Sequence, residues 1–504
     1  MATELQTNLI QRIAMGDVLR RRSVQHGNDE AVVDFVAGER RAIRYCDLNE
    51  QANRFVWAMR EQGLKQGDTV AIIGENSPQF LVALAGCFKA GFTAFPINYL
   101  QSPDDLAYVM EHSGASALLA DNSLHPIAAG LLDSASAKEV DDIIIDDNDT
   151  AVIMYTSGTT SRPKGVMLSH KAIYLSTLNG AVTLGARAGE FNSLSVLPLF
   201  HITALMFALT CVHLGSKIVL MKAFDPQQAL DLMESESVNF AILLPLMWRA
   251  LLASPGCRER DFSKLKFGLY GMAPMDGATL KTLKEVFECD FILGSGQTEI
   301  AAGCTFFQDK WIGLKEGNYW GDGSICCDQA VMDDQGNLLP PGEVGEIVWR
   351  GPQVMTGYYK NQDATEEAQA FGWHHSGDLG YIDEDNQLCF VDRKKDIIKT
   401  GGENVSSVLV ESTVLSVPGV ANVAVFGVPH PRWGEAVVAA VLVEPGAEVS
   451  QDDVVACCKN QLGGYQVPKK VVVLEAFPMT ATGKVKKNEI RDAHAHLFES
   501  LGTV

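Results

Sequence analysis

The chain of 504 residues sets 41 Lys and Arg against 62 Asp and Glu, and its formal charge of −21 argues against nucleic acid as a partner. With 47% hydrophobic and 20% charged residues it buries large cores rather than staying disordered, and its length predicts a large α/β body plus a smaller module. Eleven cysteines, an odd number that includes the adjacent pairs Cys326-Cys327 and Cys457-Cys458 and no Cys-x-x-Cys, suit a reducing, cytoplasmic compartment rather than a disulfide or zinc scaffold.

Residues 1–22 mix Glu4, Arg12, Asp17 and Arg20 to Arg22 among apolar side chains, which reads as one amphipathic helix and not as a secretory signal. From 47 to 63 apolar residues recur at helical spacing (Leu48, Ala52, Phe55, Met59), and 69–74 then reads as a buried strand. Asn76-Ser-Pro78 opens the next helix, and strands at 93–97 and 117–120 flank another helix from Ser102. That alternation is the signature of βαβ units on a mostly parallel sheet. The acidic connector 139–149 predicts one short apolar strand whose charges form a solvated face rather than a metal site. The longest apolar run, 202–212, is too short for the roughly 20 residues of a membrane span. After Pro340-Pro-Gly342 short strands and turns dominate. A dense charge run, Asp392-Arg-Lys-Lys-Asp396, precedes a final α+β segment with strands at 420–428, 436–443 and 471–474 and helices at 452–462 and 487–494. The expected division is a body of 1–393 and a mobile domain of 394–504.

The most informative stretch follows the strand-like 151–154: Tyr155-Thr-Ser-Gly-Thr-Thr-Ser-Arg-Pro-Lys-Gly165. Gly158 and Gly165 let backbone N–H groups converge, Thr156, Ser157, Thr159 and Thr160 add hydroxyl donors, and Lys164 supplies a point charge. A flexible surface loop is the bland alternative, but a lysine placed directly after such a loop favours phosphate. The spacing excludes a Walker A loop, because Gly165 rather than Ser or Thr follows the lysine.

Here the sequence resembles the adenylate-forming enzymes: acyl- and aryl-CoA synthetases, nonribosomal-peptide adenylation domains and beetle luciferases. Beyond the phosphate loop, Pro198-Leu-Phe-His201, Gln297-Thr-Glu299, Ser376-Gly-Asp378, Asp392-Arg-Lys-Lys-Asp396, Gly401-Gly-Glu-Asn404 and Thr482-Gly-Lys484 follow in that family's order. The resemblance implies a large N-terminal α/β domain of parallel-sheet subdomains plus a small β-barrel-like part, and a small mobile α+β C-terminal domain. It implies ATP, Mg²⁺ and, in the acyl-CoA synthetase branch, CoA as co-substrates. Activating a carboxylate means attack on the α-phosphorus with pyrophosphate leaving, so cations must neutralise the oxygens involved.

By resemblance, Thr298 touches the α-phosphate and Glu299 holds Mg²⁺ at the end of a turn at 294–297, with Gly296 and Gln297 beside the nucleotide. Asp378 takes the ribose hydroxyls and Arg393 contacts ribose and phosphate. Lys395 is the hinge about which the small domain rotates, and Lys484 bridges the substrate carboxylate and the α-phosphate. His201, Leu205, Met206, Gly271, Met272, Ala273 and Pro274 line the acyl pocket. Gly401, Gly402, Trp433 and Lys469 flank the route of the acceptor.

Amino-acid-activating relatives carry an Asp shortly after Phe200, where this chain has His201-Ile-Thr-Ala-Leu-Met-Phe207. Lacking a counter-ion for an amine, the pocket is expected to take a fatty, alicyclic or aromatic acid. Ser161, Ser295, Met272, Ser406 to Leu409 and Gln466 depart from the family pattern. The last two fall near the acceptor route, which leaves an amide synthetase beside a CoA ligase. A luciferase-like oxygenase would share the same motifs. Small molecules, not nucleic acid, are the expected partners, and the oligomeric state stays open.

Overall fold

The computed structural model describes residues 3–120, 132–156, 162–271, 275–315, 317–479 and 485–499. They fall into two compact units, one reaching Gln329 and including Trp349–His374, the other taking Ala330–Val348 and the described residues from His375 onward.

In the larger unit local chemistry sets the helices. Ser77 accepts the Phe80 N–H, Pro78 occupies the first helical position, and Gly91 at φ 63° ends the helix Pro78–Ala90. Ser102, Pro103 and Gly114 do the same for Pro103–Ser113. Six strands stand in the order Gly357–Tyr358, Lys164–Ser169, Thr150–Thr156, Thr93–Ile97, Thr69–Ile73 and Ala117–Ala120. The last four pair in parallel as the alternation predicts, and the first two are antiparallel. A second run places Asp290–Gln297, Phe267–Tyr270, Phe240–Ile242, Ser193–Ser195 and Ile218–Leu220 side by side in parallel. Phe80, Leu84, Phe88, Ala94, Val152 and Leu205 meet in one core, and Trp248, Phe287 and Phe291 centre a second. Among the described residues no helix is long and apolar enough to cross a membrane, and the 202–212 run lies in the largely buried helix Ile202–Leu214.

Three expectations change. The first helix is two, Glu4–Gln11 and Met15–Gln25, because Arg12 leaves helical geometry. Its guanidinium binds Asp17 and the Ile143 carbonyl, while the Ile13 N–H donates to Asp147. That strap explains the second change: 143–145 forms no strand, since Asn8 satisfies the N–H and C=O of Ile145. Glu139 in the same connector is no solvated charge but an ion pair with buried Lys89, supported by Asn49 and Asn53. The third is 294–297, which continues the strand Asp290–Gln297 rather than turning.

In the smaller unit, strands Val420–His430 and Gly434–Val443 form the central antiparallel pair, with Lys470–Val473 parallel to the latter. Helices Gln451–Gln461 and Lys487–Ala493 lie where the spacing put them. A helix at Ser407–Val414 and the hairpin Ile398–Thr400 with Glu403–Val405 were not read from the sequence. The β-rich part is a row of neighbouring strands, Asp328–Met332, Gly345–Arg350, His374–Ile382 and Leu388–Arg393.

Candidate functional site

Thr156 and Lys164 face each other at the end of an antiparallel pair, and the Thr156 hydroxyl lies 3.5 Å from the Lys164 carbonyl. The strands thus deliver both ends of the phosphate-loop motif to one place. Ser157, Gly158, Thr159 and Thr160 lie outside the described residues. A Cβ on Gly165 would meet the Ile153 and Tyr155 side chains at 3.1 Å, so a larger residue there requires them to give way by a few tenths of an ångström.

Glu299 sits in the short turn Thr298–Ile300 that follows the strand Asp290–Gln297. Its Oε1 accepts a 3.0 Å hydrogen bond from the Tyr358 hydroxyl, and the Lys164 ammonium stands 4.9 Å from the centre of the Tyr358 ring. Cation, aromatic ring and carboxylate therefore form one arrangement. Burial, and after it the charge of Glu299, pushes the Tyr358 hydroxyl well above the ordinary tyrosine range, so it stays a donor. Gln297 meets His374, with Oε1 and Nε2 3.2 Å apart. A Cβ on Gly296 would lie 1.7 Å from the Ala302 carbonyl, so no other residue fits there.

His201 caps the helix Ile202–Leu214, its Nδ1 accepting the Thr203 N–H at 3.3 Å. The proton of the neutral ring then resides on Nε2. Leu205 and Met206 are buried in the core of the larger unit. Gly271 is buried too, and a Cβ there would come within 2.6 Å of the Gly294 carbonyl. Met272, Ala273 and Pro274 lie outside the described residues.

In the smaller unit Asp378 and Arg393 are cross-strand partners, with carboxylate and guanidinium 3.8 Å apart. Lys394 pairs with Asp334 and Glu346. The Lys395 ammonium is held below the ordinary lysine range, first by desolvation and then by Arg393. Asp392 turns the other way and accepts the N–H groups of Ser407 and Val408, capping Ser407–Val414 together with Ser406. The residues expected to flank the acceptor route also converge. The Gly401 N–H donates to the Trp433 carbonyl at 2.8 Å, the Lys469 ammonium lies 5.4 Å from the Trp433 ring, and His430 stacks on that ring at 4.1 Å. Gly401 and Gly402, at φ 62° and 92°, make the turn beside it. Lys484 lies outside the described residues. Sequence reasoning gave no role to Tyr358, His374 or His430; of these, Tyr358 in Gly357-Tyr-Tyr359 carried no signal beyond an aromatic after a glycine.

The AMP-binding enzyme model matches residues 19–359, and the AMP-binding enzyme C-terminal domain model matches 409–484. The chain belongs to the AMP-binding enzymes. A feruloyl-CoA synthase of Amycolatopsis is 36% identical over 463 residues, covering 89% of this chain and 94% of that protein. A long-chain-fatty-acid–CoA ligase of Mycobacterium tuberculosis is 30% identical over 502 residues, covering 95% and 98%. The O-succinylbenzoate coenzyme A synthetase of Bacillus subtilis, solved with ATP and a magnesium ion, superposes with a TM-score of 0.86 at 27% identity, covering 94% of this chain and 99% of that one. The resemblance read from the motifs is thus borne out: this AMP-binding enzyme stands among acid–CoA ligases, ATP- and Mg²⁺-dependent enzymes of two-domain adenylate-forming fold.

Proposed function

We propose that this AMP-binding enzyme activates an apolar carboxylic acid, fatty, alicyclic or aromatic, as its acyl-adenylate and passes the acyl group to CoA. The observation that carries the reading is the arrangement of Lys164 and Glu299 about Tyr358, which puts a cation beside a carboxylate at the end of the phosphate-loop strand pair. Polyphosphate needs such a pairing, a point charge for its oxygens and a hard oxygen donor for the accompanying metal. Glu299 suits Mg²⁺, which takes one or two carboxylates plus phosphate oxygens. The Tyr358 hydroxyl on Oε1 holds that carboxylate in place. Bound there, Mg²⁺ would neutralise phosphate charge.

The remaining roles follow the geometry of each unit. Thr298, next to Glu299, contacts the α-phosphate, with Gly296 and Gln297 beside the nucleotide. Asp378, oriented by its cross-strand partner Arg393, accepts the ribose hydroxyls. His201, its Nδ1 already engaged by Thr203, offers Nε2–H to the substrate carboxylate. A carboxylate oxygen attacks the α-phosphorus, the bond to the β-phosphate oxygen breaks, and Lys484 stabilises the charge that develops. In the second step the thiol sulfur attacks the acyl carbonyl and AMP leaves. The acceptor enters past Gly401, Gly402 and Trp433, with Lys469 as the cationic contact, after the domain 394–504 turns about Lys395 on the body 1–393. The absence of an acidic residue in 201–207 supports an apolar acid, and the feruloyl and fatty-acyl relatives fit that class.

Pyrophosphate release with ATP and Mg²⁺ across fatty, alicyclic and aromatic acids, alone and with CoA or amino acids, tests this reading, with products identified by mass spectrometry. A thioester formed only with CoA is the expected product. An amide formed without CoA would overturn the acceptor, and no release with any apolar acid would overturn the substrate class.

A further inference from the structure

The turn that presents Glu299 is closed by one hydrogen bond of its own, from the Ala301 N–H to the Thr298 carbonyl at 3.1 Å. Ala301 and Ala302 follow it at φ 51° and 82°, two consecutive left-handed residues without glycine, a backbone that side-chain-bearing residues seldom adopt. The remaining contacts on this backbone come from elsewhere. The Ser176 hydroxyl donates to the Ala301 carbonyl at 2.5 Å. Segment 353–358 supplies the rest: the fully buried Gln353 amide donates to the Ile300 carbonyl at 3.3 Å, the Met355 N–H to the Glu299 carbonyl at 2.7 Å, and the Tyr358 hydroxyl to the Glu299 carboxylate at 3.0 Å.

Tyr358 is in turn fixed from three sides. Its backbone pairs with Val166 on the strand that carries Lys164, its N–H donates to the Thr365 hydroxyl at 2.9 Å, and its ring lies under the Lys164 ammonium. We infer that segment 353–358 is a clasp for the metal-binding turn, with Tyr358 the positioning residue that holds the Glu299 carboxylate in place for the ion. The hydroxyl also ties the carboxylate to the strand of Lys164, so metal site and phosphate cation are set by one side chain. Outer residues of this kind govern metal affinity by orienting the ligand, and their loss costs about tenfold or more.

This inference rests on Glu299 as the metal ligand, and the experiment separates the two. The affinity of the full-length enzyme for ATP is measured calorimetrically without a carboxylic acid, once with Mg²⁺ and once with EDTA; the ratio is the gain supplied by the metal. Y358F keeps the ring under Lys164 and removes only the donor. The expected result is a gain reduced about tenfold with the EDTA affinity unchanged, and no further loss when Y358F is added to E299Q. Q353L, at the other end of the clasp, is the second probe and lowers the gain in the same direction. An unchanged gain in Y358F beside a reduced one in E299Q overturns the clasp alone, as does equal weakening with and without the metal. An unchanged gain in E299Q overturns the ligand assignment beneath it.

Discussion

Glu299 in the larger unit and the cluster Arg393 to Lys395 in the smaller one are held by opposite means. Around Glu299 the larger unit uses neutral donors: the buried Gln353 amide and the Met355 N–H hold the backbone carbonyls of Ile300 and Glu299, and the Tyr358 hydroxyl holds the carboxylate. Around Arg393 to Lys395 the smaller unit uses direct pairs with Asp378, Asp334 and Glu346, in which the cations stay half exposed. Such pairs are each worth about 0–1 kcal/mol and exchange readily for water. The contrast teaches where each kind of grip belongs: a group that must not move is clasped, and a segment proposed to turn is held by contacts that can be remade.

The largest effect that would sharpen this contrast is chemical. Lys484→Ala is expected to slow adenylate formation about 100- to 1,000-fold while leaving transfer from a supplied acyl-adenylate within a few-fold; rapid-quench rates of the two half-reactions decide it, and equal loss in both would break the division of labour. Next, Lys395→Pro fixes φ at the proposed hinge and is expected to slow thioester formation about 100-fold more than adenylation, read from single-turnover rates. An unchanged second step would mean that the smaller unit's exchangeable contacts serve no motion.

Stability offers the third test. His170 and His213, buried in the larger unit, are pushed down to about 4, chiefly by burial and secondarily by Arg12 and Arg22 respectively. His170 must be neutral to accept the Met15 N–H at 3.3 Å. A folded pKa below the unfolded value of about 6.5 means stability is full above pH 6.5 and lost as the pH falls from about 6.5 to about 4. Urea titrations should show a loss of about 3 kcal/mol for each of the two histidines across that window, and His213→Gln should remove about half of it; a flat wild-type profile would refute the burial argument. The smallest effect is Ser406→Ala, which removes one cap of the helix Ser407–Val414 and should cost about 1 kcal/mol in denaturant unfolding, provided Asp392 keeps the other.

Much of this was legible in order along the chain. Capping residues gave the starts of the helices at Asn76-Ser-Pro78 and at Ser102, and apolar runs gave the strands at 69–74, 93–97 and 117–120, because local chemistry decides them. The motifs placed Thr156 beside Lys164 and Gly401 beside Trp433 and Lys469 by way of a family pattern. What the sequence hid was partnership at long range. The apolar 143–145 segment has strand composition yet forms none, since Asn8 and Arg12 take its backbone groups from more than a hundred residues away. Tyr358 is 59 residues from Glu299, and nothing in Gly357-Tyr-Tyr359 announces a hydroxyl aimed at a carboxylate. Ser407–Val414 was missed because its apolar spacing is weak; Ser406 and the distant Asp392 supply its start.

Asp392 stands three positions before Lys395, whereas the amides it binds, Ser407 and Val408, come twelve and thirteen after it. These hydrogen bonds therefore straddle the proposed pivot, and a rotation there has to release them. The Ser407 amide would then exchange its proton with solvent only while the enzyme is in the other pose, so its deuterium uptake during turnover would act as a clock for how long each pose lasts.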